Sequence, residues 1–330
     1  MSTKPSTRIY AIVAREAPIA VVFRRGPSKL VQLLRWDLTN DTFERGQWLK
    51  GRIYERRSDL SPSGKYLVYS AADEKPPDYR WTAISKPPYL TALAYWPGGG
   101  DACGGLFDSE TSVRIDNITT DRKMTKGRKH LKDLTVSRLL YPESCEQDDF
   151  LLHERLKRDG WTEMQSGIAH RSGPSVDEMM KAAKELKNLI NEEGMLFDRN
   201  KLPELFKSKR EKVDEMRAVY DPPQVFHKST ERHCLEMKTL GLGQTEGPSH
   251  VTEYSVLTLG GAIMVALGQL DWADWDANGD LLYAKSGCIF RWPAALIGHG
   301  ETEQLIDLSQ EKFEPLAAPE GYTNQDLRFY

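Results

Sequence analysis

The alternation of apolar and polar residues over the first hundred positions predicts short β-strands. Three segments rich in β-branched and aromatic residues stand between turn residues; they are Arg8–Ala14, Ile19–Phe23 and Lys29–Trp36. Pro18 and Gly26-Pro27 supply the breaks between them. This pattern is typical of an antiparallel sheet with short connections.

The same β pattern returns after residue 223, following a region of different character. Five further strands are expected, at Cys234–Leu240, His250–Leu257, Ala262–Ala266, Gly287–Trp292 and Gln304–Leu308. We therefore expect β-structure at both ends of the chain.

The middle of the chain shows helical periodicity. Ser175 and Glu178 form a capping box in front of an apolar stripe with helical spacing. Helices are expected at 148–158, at 175–194, and from 203 to about 220, where Pro222-Pro223 stops the last one. The sequence thus predicts a β part at 1–115, a helical insertion at 116–222, and a second β part at 223–330 that closes on the first.

One hairpin occurs twice. Asp59–Tyr69 aligns with Asp274–Ala284: each copy has an Asp, a short polar segment, a Gly five residues after the Asp, and an apolar strand. The Gly supplies the positive φ of a tight turn. The Asp is expected to accept hydrogen bonds from turn amides. Self-similarity of this kind is typical of repeated β-blades.

The segment LSPSGKYLVYSA, at positions 60–71, resembles the inner-strand hairpin of β-propellers of the WD40-like and TolB-like kind. The wider stretches at about 30–110 and 230–315 resemble a family of uncharacterised bacterial proteins. The resemblance implies a mainly β fold with propeller-like or incomplete propeller blades around the helical insertion. It implies no particular activity.

Composition indicates a globular chain, with 39% hydrophobic and 28% charged residues. No segment reaches the roughly 18 apolar residues of a membrane helix, and the polar start Met1–Ser6 predicts no signal peptide. The four cysteines are far apart and form no CxxC pair. We therefore expect a cytoplasmic protein with neither a disulfide framework nor a zinc site.

Asp276, Asn278 and Asp280 are spaced like the first ligands of a calcium loop. Such a loop ends in a bidentate Glu, where this chain has Gly287, and the aligned hairpin has Lys65 in place of Asp280. A hairpin turn is therefore favoured over metal binding.

Other catalytic signatures are weak. The Gly-rich segment 98–105 lacks the Lys of a phosphate-binding loop, the seven histidines have no ligand spacing, and no GxSxG elbow occurs. Cys234 lies in an alternating strand, as a core residue would. Asp59 and Asp274 could act as paired carboxylates, but their equivalent repeat positions favour turn capping. We expect no catalytic residue, no cofactor and no metal, and a protein that is not an enzyme.

The basic segment Arg122–Lys132 has six Lys/Arg and no acid. It could contact phosphates of a nucleic acid, but it has no interleaved aromatic residues and the chain is acidic overall, with pI ≈ 6.2. A solvated loop is favoured, and direct nucleic-acid binding is not expected.

The acidic aromatic segment 270–280 is the strongest candidate for partner binding. Its candidate residues are Asp271, Trp272, Asp274, Trp275, Asp276 and Asp280. Tryptophan often anchors interfaces, and carboxylates can face a basic partner. The alternative is that the tryptophans pack between sheets while the carboxylates line turns.

Charge is distributed unevenly along the chain. Residues 1–57 have twelve Lys/Arg against five Asp/Glu, whereas residues 271–330 have four against eleven. This asymmetry either steers a charged partner or means that the two ends face each other.

These patterns predict a non-enzymatic protein-binding module. Within that class we expect a bacterial immunity protein that occludes the active site of a cognate toxin, with a basic toxin or nuclease as partner and no membrane contact. The alternatives are a propeller-type hydrolase, with carboxylates gathered in a central funnel, and a scaffold in a bacterial multiprotein system.

Overall fold

The computed structural model describes residues 7–26, 29–73, 79–98, 104–116, 133–140, 147–171, 218–242 and 250–319. These residues form β-sheets, each built from strands that lie near one another in the sequence, and one α-helix, α1, at Gln147–Arg158. No described helix is long and apolar enough to cross a membrane. The predicted mainly β, propeller-like fold is confirmed.

The described strands assemble into five sheets. Sheet 1 contains β1 (Arg8–Val13), β2 (Ile19–Arg25), β3 (Leu30–Asp37) and β4 (Thr42–Lys50). Sheet 2 contains β5 (Arg52–Leu60), β6 (Leu67–Ala72), β7 (Arg80–Ser85) and β8 (Ala94–Gly98). Sheet 3 contains β9 (Gly105–Ser109), β10 (Ser112–Ile115) and β11 (Thr135–Arg138), the last parallel to β10.

The remaining two sheets follow α1. Sheet 4 contains β12 (Thr162–Gln165), β13 (Ala169–Arg171), β14 (Ala218–Ser229), β15 (His233–Leu242), β16 (His250–Thr258) and β17 (Ile263–Gln269). Sheet 5 contains β18 (Trp272–Trp275), β19 (Leu281–Lys285), β20 (Cys288–Trp292) and β21 (Glu303–Asp307). Sheets 1, 2 and 5 are four-stranded antiparallel meanders, the form of a propeller blade.

The repeated hairpin joins the first strand to the second in both sheet 2 and sheet 5. Gly64 and Gly279 have φ values of 77° and 79°, as predicted for the turn. The expected capping residue was wrong, because Asp59 and Asp274 do not bond the amides of their turns.

The residue three before the glycine caps each turn instead. Asp276 accepts hydrogen bonds from the amides of Asn278 and Asp280, and Ser61 Oγ accepts one from the amide of Tyr66. This position is closer to the turn, so its short side chain reaches the amides directly.

Buried apolar clusters join successive sheets. One cluster joins sheets 1 and 2, and another joins sheets 2 and 3. Leu151 of α1 packs on sheet 3, while Leu152 and Leu156 pack with sheets 4 and 5. A further cluster joins sheet 5 to sheet 1. The series of interfaces therefore returns to its start, with α1 between sheets 3 and 4.

The oppositely charged ends of the chain do face each other. Arg45 pairs with Glu311 at 2.8 Å, and Arg291 pairs with Asp41 at 2.8 Å. The buried guanidinium of Arg24 donates to the carbonyl of Leu308 at 3.1 Å. Of these contacts, the Arg45–Glu311 pair joins a cation of the basic end to an acid of the acidic end, whereas the Arg291–Asp41 pair has the opposite assignment. Sheet 5 and the segment after it thus contact sheet 1.

The predicted helix at 148–158 is confirmed as α1, and Gly160, with φ of 89°, follows it. The predicted helices at 175–194 and 203–217 lie outside the described residues. The end of the last one, at 218–220, is wrong, because strand β14 begins at Ala218 and continues through Pro222-Pro223. The pairing with β15 shifts register between Val219 and Gln224, so the prolines lie where no ladder donor is required.

Candidate functional site

A cavity of about 1090 Å³ lies at the hub of the sheets. We call it the chamber. It is lined by the first strands of sheets 1, 2 and 5, which are β1, β5 and β18, together with α1 and parts of β14 and β16. Cavities of this kind, between several elements, are the usual place for a bound ligand.

The pleat of β1 explains how an edge strand can line the chamber. Ile12 enters the core shared with sheet 2, whereas Ile9 and Ala11 enter the core shared with sheet 5. Tyr10 borders both clusters and lines the chamber. The unpaired edge of the strand is thereby left facing the hub.

The first strands run in the same direction around the chamber. The start of β1 meets the start of β18, where the amide of Ile9 donates to Asp271 at 3.3 Å. Beyond the ends of β1 and β5, the amide of Glu16 donates to the carbonyl of Pro62 at 2.9 Å. The chamber thus has one end at the strand starts and another at the strand ends.

Helix α1 closes one side of the chamber with arginine contacts. Arg155 donates to the carbonyl of Glu55 at 3.0 Å and also to the carbonyl of Ser58 and the hydroxyl of Tyr10. One buried guanidinium therefore fixes α1 against both β1 and β5.

Positive charge is concentrated at the strand-start end, which we call the basic mouth. Arg8 on β1 lies directly opposite Arg25 on β2. Burial lowers the pKa of both guanidinium groups. The positive charge of Arg52 lowers these two pKa values further, whereas the negative charge of Glu55 raises them. Like charges placed opposite each other on neighbouring strands cost stability.

Two more arginines extend the basic mouth along β5. Arg52 stacks on the ring of Tyr54 at 4.7 Å, and Arg56 lines the chamber. His250 faces this pair: burial, together with the charges of Arg56 and Arg52, holds its pKa well below the ordinary value. Its Nδ1 is buried and has no hydrogen-bond partner within the described residues.

Asp271 is the carboxylate of the predicted acidic segment that lies at the basic mouth. Burial raises its pKa to about 6, against the lowering effects of the Ile9 amide and of Arg8. It shares this end with Glu55, whose charge raises the pKa further. A carboxyl with this pKa changes charge just below neutral pH.

The two predicted tryptophans are buried. Trp272 packs in the core between sheets 1 and 5, and Trp275 packs in the core of sheets 4 and 5. The indole of Trp275 donates to the carbonyl of Lys228 at 2.8 Å. This placement favours the alternative that they pack between sheets.

The other predicted carboxylates have partners within the protein. Asp274 pairs with Lys228 at 2.6 Å. Asp280 accepts from Arg291 at 3.0 Å and from the amide of Ala294 at 2.8 Å. Arg291 also pairs with Asp276. A role of this segment in partner binding stays a prediction, but these carboxylates do not present a free acidic surface.

The arrangement around Arg291 also accounts for the calcium-like spacing. The Arg291 guanidinium forms ion pairs with Asp41, Asp276 and Asp280. A positively charged side chain of the protein therefore occupies the position that a bound metal ion would take between these carboxylates. Among the described residues, no group of three or more Asp, Glu, His or Cys is arranged to hold a metal ion.

The remaining sequence candidates are dispersed. The basic segment Arg122–Lys132 lies outside the described residues, and so do positions 99–103 of the Gly-rich segment. Cys234 is buried in β15, and His227 contacts Glu236 at 3.3 Å. Asp59 bonds Arg158 and the amide of Phe107.

The basic mouth was missed by motif reasoning. Arg8, Arg25, Arg52 and Arg56 are scattered over fifty positions, and no spacing rule connects them to His250. The signal available was the excess of Lys/Arg in residues 1–57. Counting charges along the sequence detects that excess, but it does not show which of these basic side chains lie together in the folded protein.

A second surface is the outer edge of sheet 4. β17 is the edge strand of this sheet. Three large apolar side chains are exposed there: Leu259, which precedes β17, at 61%, and Ile263 and Met264, which lie in β17, at 65% and 41%. Uncharged exposed edges can pair with other chains.

Comparisons with known proteins add the following. No protein-family description and no curated protein matches the sequence. An uncharacterised protein, lmo1340 from Listeria monocytogenes EGD-e, aligns over 95% of this chain and 98% of its own, with 8% identity and a TM-score of 0.38. The β-propeller domain of the Trilobed protease from Pyrococcus furiosus aligns over 92% and 100%, with 8% identity and a TM-score of 0.29. No functional inference follows from likenesses this distant.

Proposed function

We propose that this protein is a binding module that receives a segment of a protein partner in the chamber. The observation that carries the proposal is the chamber itself, about 1090 Å³ in volume and bordered by three sheet edges and α1. Clefts for small molecules usually span roughly 300–1,000 Å³. A chamber at or above that range suits a length of polypeptide.

The charges favour an acidic partner segment over the basic partner that the sequence suggested. Asp274 and Asp276 are already paired with Lys228 and Arg291. The guanidinium groups at the basic mouth, by contrast, repel one another. Electrostatic complementarity would therefore draw negative charge to this end.

A cognate inhibitor of a bacterial toxin is the specific role that we propose within this class. It requires no chemistry from the chamber, only a stable complex. A toxin gene beside the gene for this protein would support the role, and a stable complex with that toxin would test it.

The second candidate is a propeller-type hydrolase, which needs carboxylates converging in the funnel. Asp271 favours it, because a carboxyl with a pKa of about 6 is suited to general acid–base work. Against it, Asp159, Asp274 and Asp276 all have cationic partners. The binding role is therefore preferred.

Site-specific photocrosslinking tests the proposal. A benzophenone amino acid at Tyr10 would place the probe in the chamber, and the same amino acid at Ile263 would place it on the edge of sheet 4. Expressed in the native cell, the Tyr10 probe should yield one dominant protein adduct and the Ile263 probe none. Adducts formed only at Ile263 would move the binding surface to the sheet edge and overturn the proposal.

A further inference from the structure

We infer that the basic mouth is a binding site for a phosphate group, formed by Arg8, Arg25, Arg52, Arg56 and His250. The inference rests on the proposed function in that it gives the chemical class of ligand for the same chamber. It depends on the geometry of these five side chains.

The first support is a charge arrangement that is unfavourable without a ligand. Arg8 and Arg25 occupy directly opposed positions on β1 and β2. Both lie within interaction range of Arg52, which adds a third positive charge. An anion between them would turn three repulsive pairs into attractive contacts.

The second support is the charge balance of the mouth. Within the described residues, the charges that act on Arg8 and Arg25 include that of Arg52 and those of two carboxylates, Glu55 and Asp271, so three guanidinium groups lie with two carboxylates. A phosphate group carries about −1.5 to −2 at neutral pH, so the three guanidinium groups would attract it.

The third support is His250, which is independent of the arginine count. Its Nδ1 is buried, has no hydrogen-bond partner within the described part of the chain, and belongs to a side chain that lines the chamber. A buried polar atom without a partner is costly. A phosphate oxygen would give that nitrogen an acceptor, and guanidinium groups bind phosphate through paired N–H donors.

The chemistry of the site could be used by a free phosphate compound or by a phosphorylated segment of the partner. Titration calorimetry on the purified full chain distinguishes them, with inorganic phosphate as one probe and a phosphoserine peptide of neutral flanks as the other. Similar affinities would indicate a free compound, and a clear preference for the peptide would indicate a phosphorylated segment. Both results support the phosphate site.

The matched variants are Arg25→Gln at the mouth and Arg45→Gln on the same sheet, where Arg45 forms an exposed pair with Glu311. Arg25→Gln should weaken phosphate binding by about tenfold or more, as expected for one lost charge-assisted hydrogen bond. Arg45→Gln should leave it within about twofold. His250→Gln supplies a second test should Arg25→Gln fold poorly, and it should weaken binding in the same direction.

Absence of phosphate binding at millimolar concentration, or equal weakening by Arg25→Gln and Arg45→Gln, would overturn the inference. This failure is separable from failure of the proposed function. Tyr10 adducts that persist without any phosphate binding would leave the binding module standing. Phosphate binding without Tyr10 adducts would leave the phosphate site standing alone.

Discussion

Arg158 of α1 holds Asp59 of sheet 2 in a two-point ion pair, with Nη1 2.6 Å from Oδ2 and Nη2 2.8 Å from Oδ1. The Asp59 side chain is fully buried, and it also accepts a hydrogen bond from the amide of Phe107 in sheet 3. One carboxylate thus joins α1 to two sheets. Arg158 also lines the chamber, so this contact forms part of the chamber wall.

Replacing Asp59 with Asn should lower the free energy of unfolding by about 2–4 kcal/mol, because it leaves the largely buried Arg158 charge without its main partner. Urea denaturation measures the change. The control is Asp108→Asn, whose pair with Arg114 is largely exposed and should matter by less than about 0.5 kcal/mol. Equal effects of the two substitutions would contradict the structural role of Asp59.

The two turn glycines offer a matched comparison. Gly64→Ala and Gly279→Ala each place a side chain at positive φ, at a cost of about 1–2 kcal/mol. At Gly64 the added Cβ would also lie 2.8 Å from Ile19 Cγ2, whereas at Gly279 the nearest atom is 3.7 Å away. Gly64→Ala should therefore be the more destabilising by a further ~1–3 kcal/mol.

Thermal unfolding of the two alanine variants checks this order. A larger loss for Gly279→Ala would show that the aligned turns do not pack as described. The repeat places both glycines equivalently, so the difference arises entirely from Ile19, which belongs to another sheet.

The turn at Asp276 distinguishes a protein cation from a metal. Asp276→Ala should cost about 2–4 kcal/mol, because the buried Arg291 loses one of its carboxylates and two turn amides lose their acceptor. Ser61→Ala, at the same repeat position, should cost less, about 1 kcal/mol, because Ser61 is itself uncharged and its hydroxyl donates to the Glu110 carboxylate only at 3.4 Å. Added calcium should leave the melting temperature of the native protein unchanged. An upward shift with calcium that Asp276→Ala abolishes would instead establish a metal site.

The sequence predicted the strands and the repeat because both depend on local patterns. The alternation in 234–240 and the turn glycines each need only a few neighbouring residues. The path of β14 through Pro222-Pro223 could not be predicted this way. Pairing of β14 with β15 keeps it extended, and a local rule that ends a helix at proline does not include that partner.

The site was less predictable than the fold. In the segment 270–280, three of the carboxylates are engaged by Lys228 and Arg291, and the two Trp residues lie in two apolar cores. Those partners are distant in sequence. The residues of the basic mouth come from β1, β2, β5 and β16, and only the arrangement of the sheets brings them together.

Stability should depend on pH through Asp271. Its folded-state pKa of about 6 exceeds the usual value of an unfolded aspartate, about 3.9. The folded protein therefore binds more protons between about pH 4 and pH 6, and the contribution of this group to stability is present below that range and lost as the pH rises through it.

Asp271→Asn resembles the protonated carboxyl at every pH. It should raise the free energy of unfolding by about 1–3 kcal/mol at pH 8 and leave it nearly unchanged at pH 4. Denaturation at both pH values measures the effect. Asp307→Asn is the control with the opposite sign at pH 8, because hydrogen bonds from Ser309 lower the pKa of Asp307. A loss of stability in Asp271→Asn at pH 8 would contradict the assignment.

The most direct test of the central claim is the affinity of the partner captured through Tyr10 for two charge-reversed variants, Arg25→Glu and Arg45→Glu. Both arginines lie on sheet 1, but only Arg25 lines the chamber. Arg25→Glu should weaken the complex by about tenfold or more, and Arg45→Glu should leave it within about twofold. Equal weakening by the two variants, or none by Arg25→Glu, would contradict the binding of an acidic partner segment at the basic mouth.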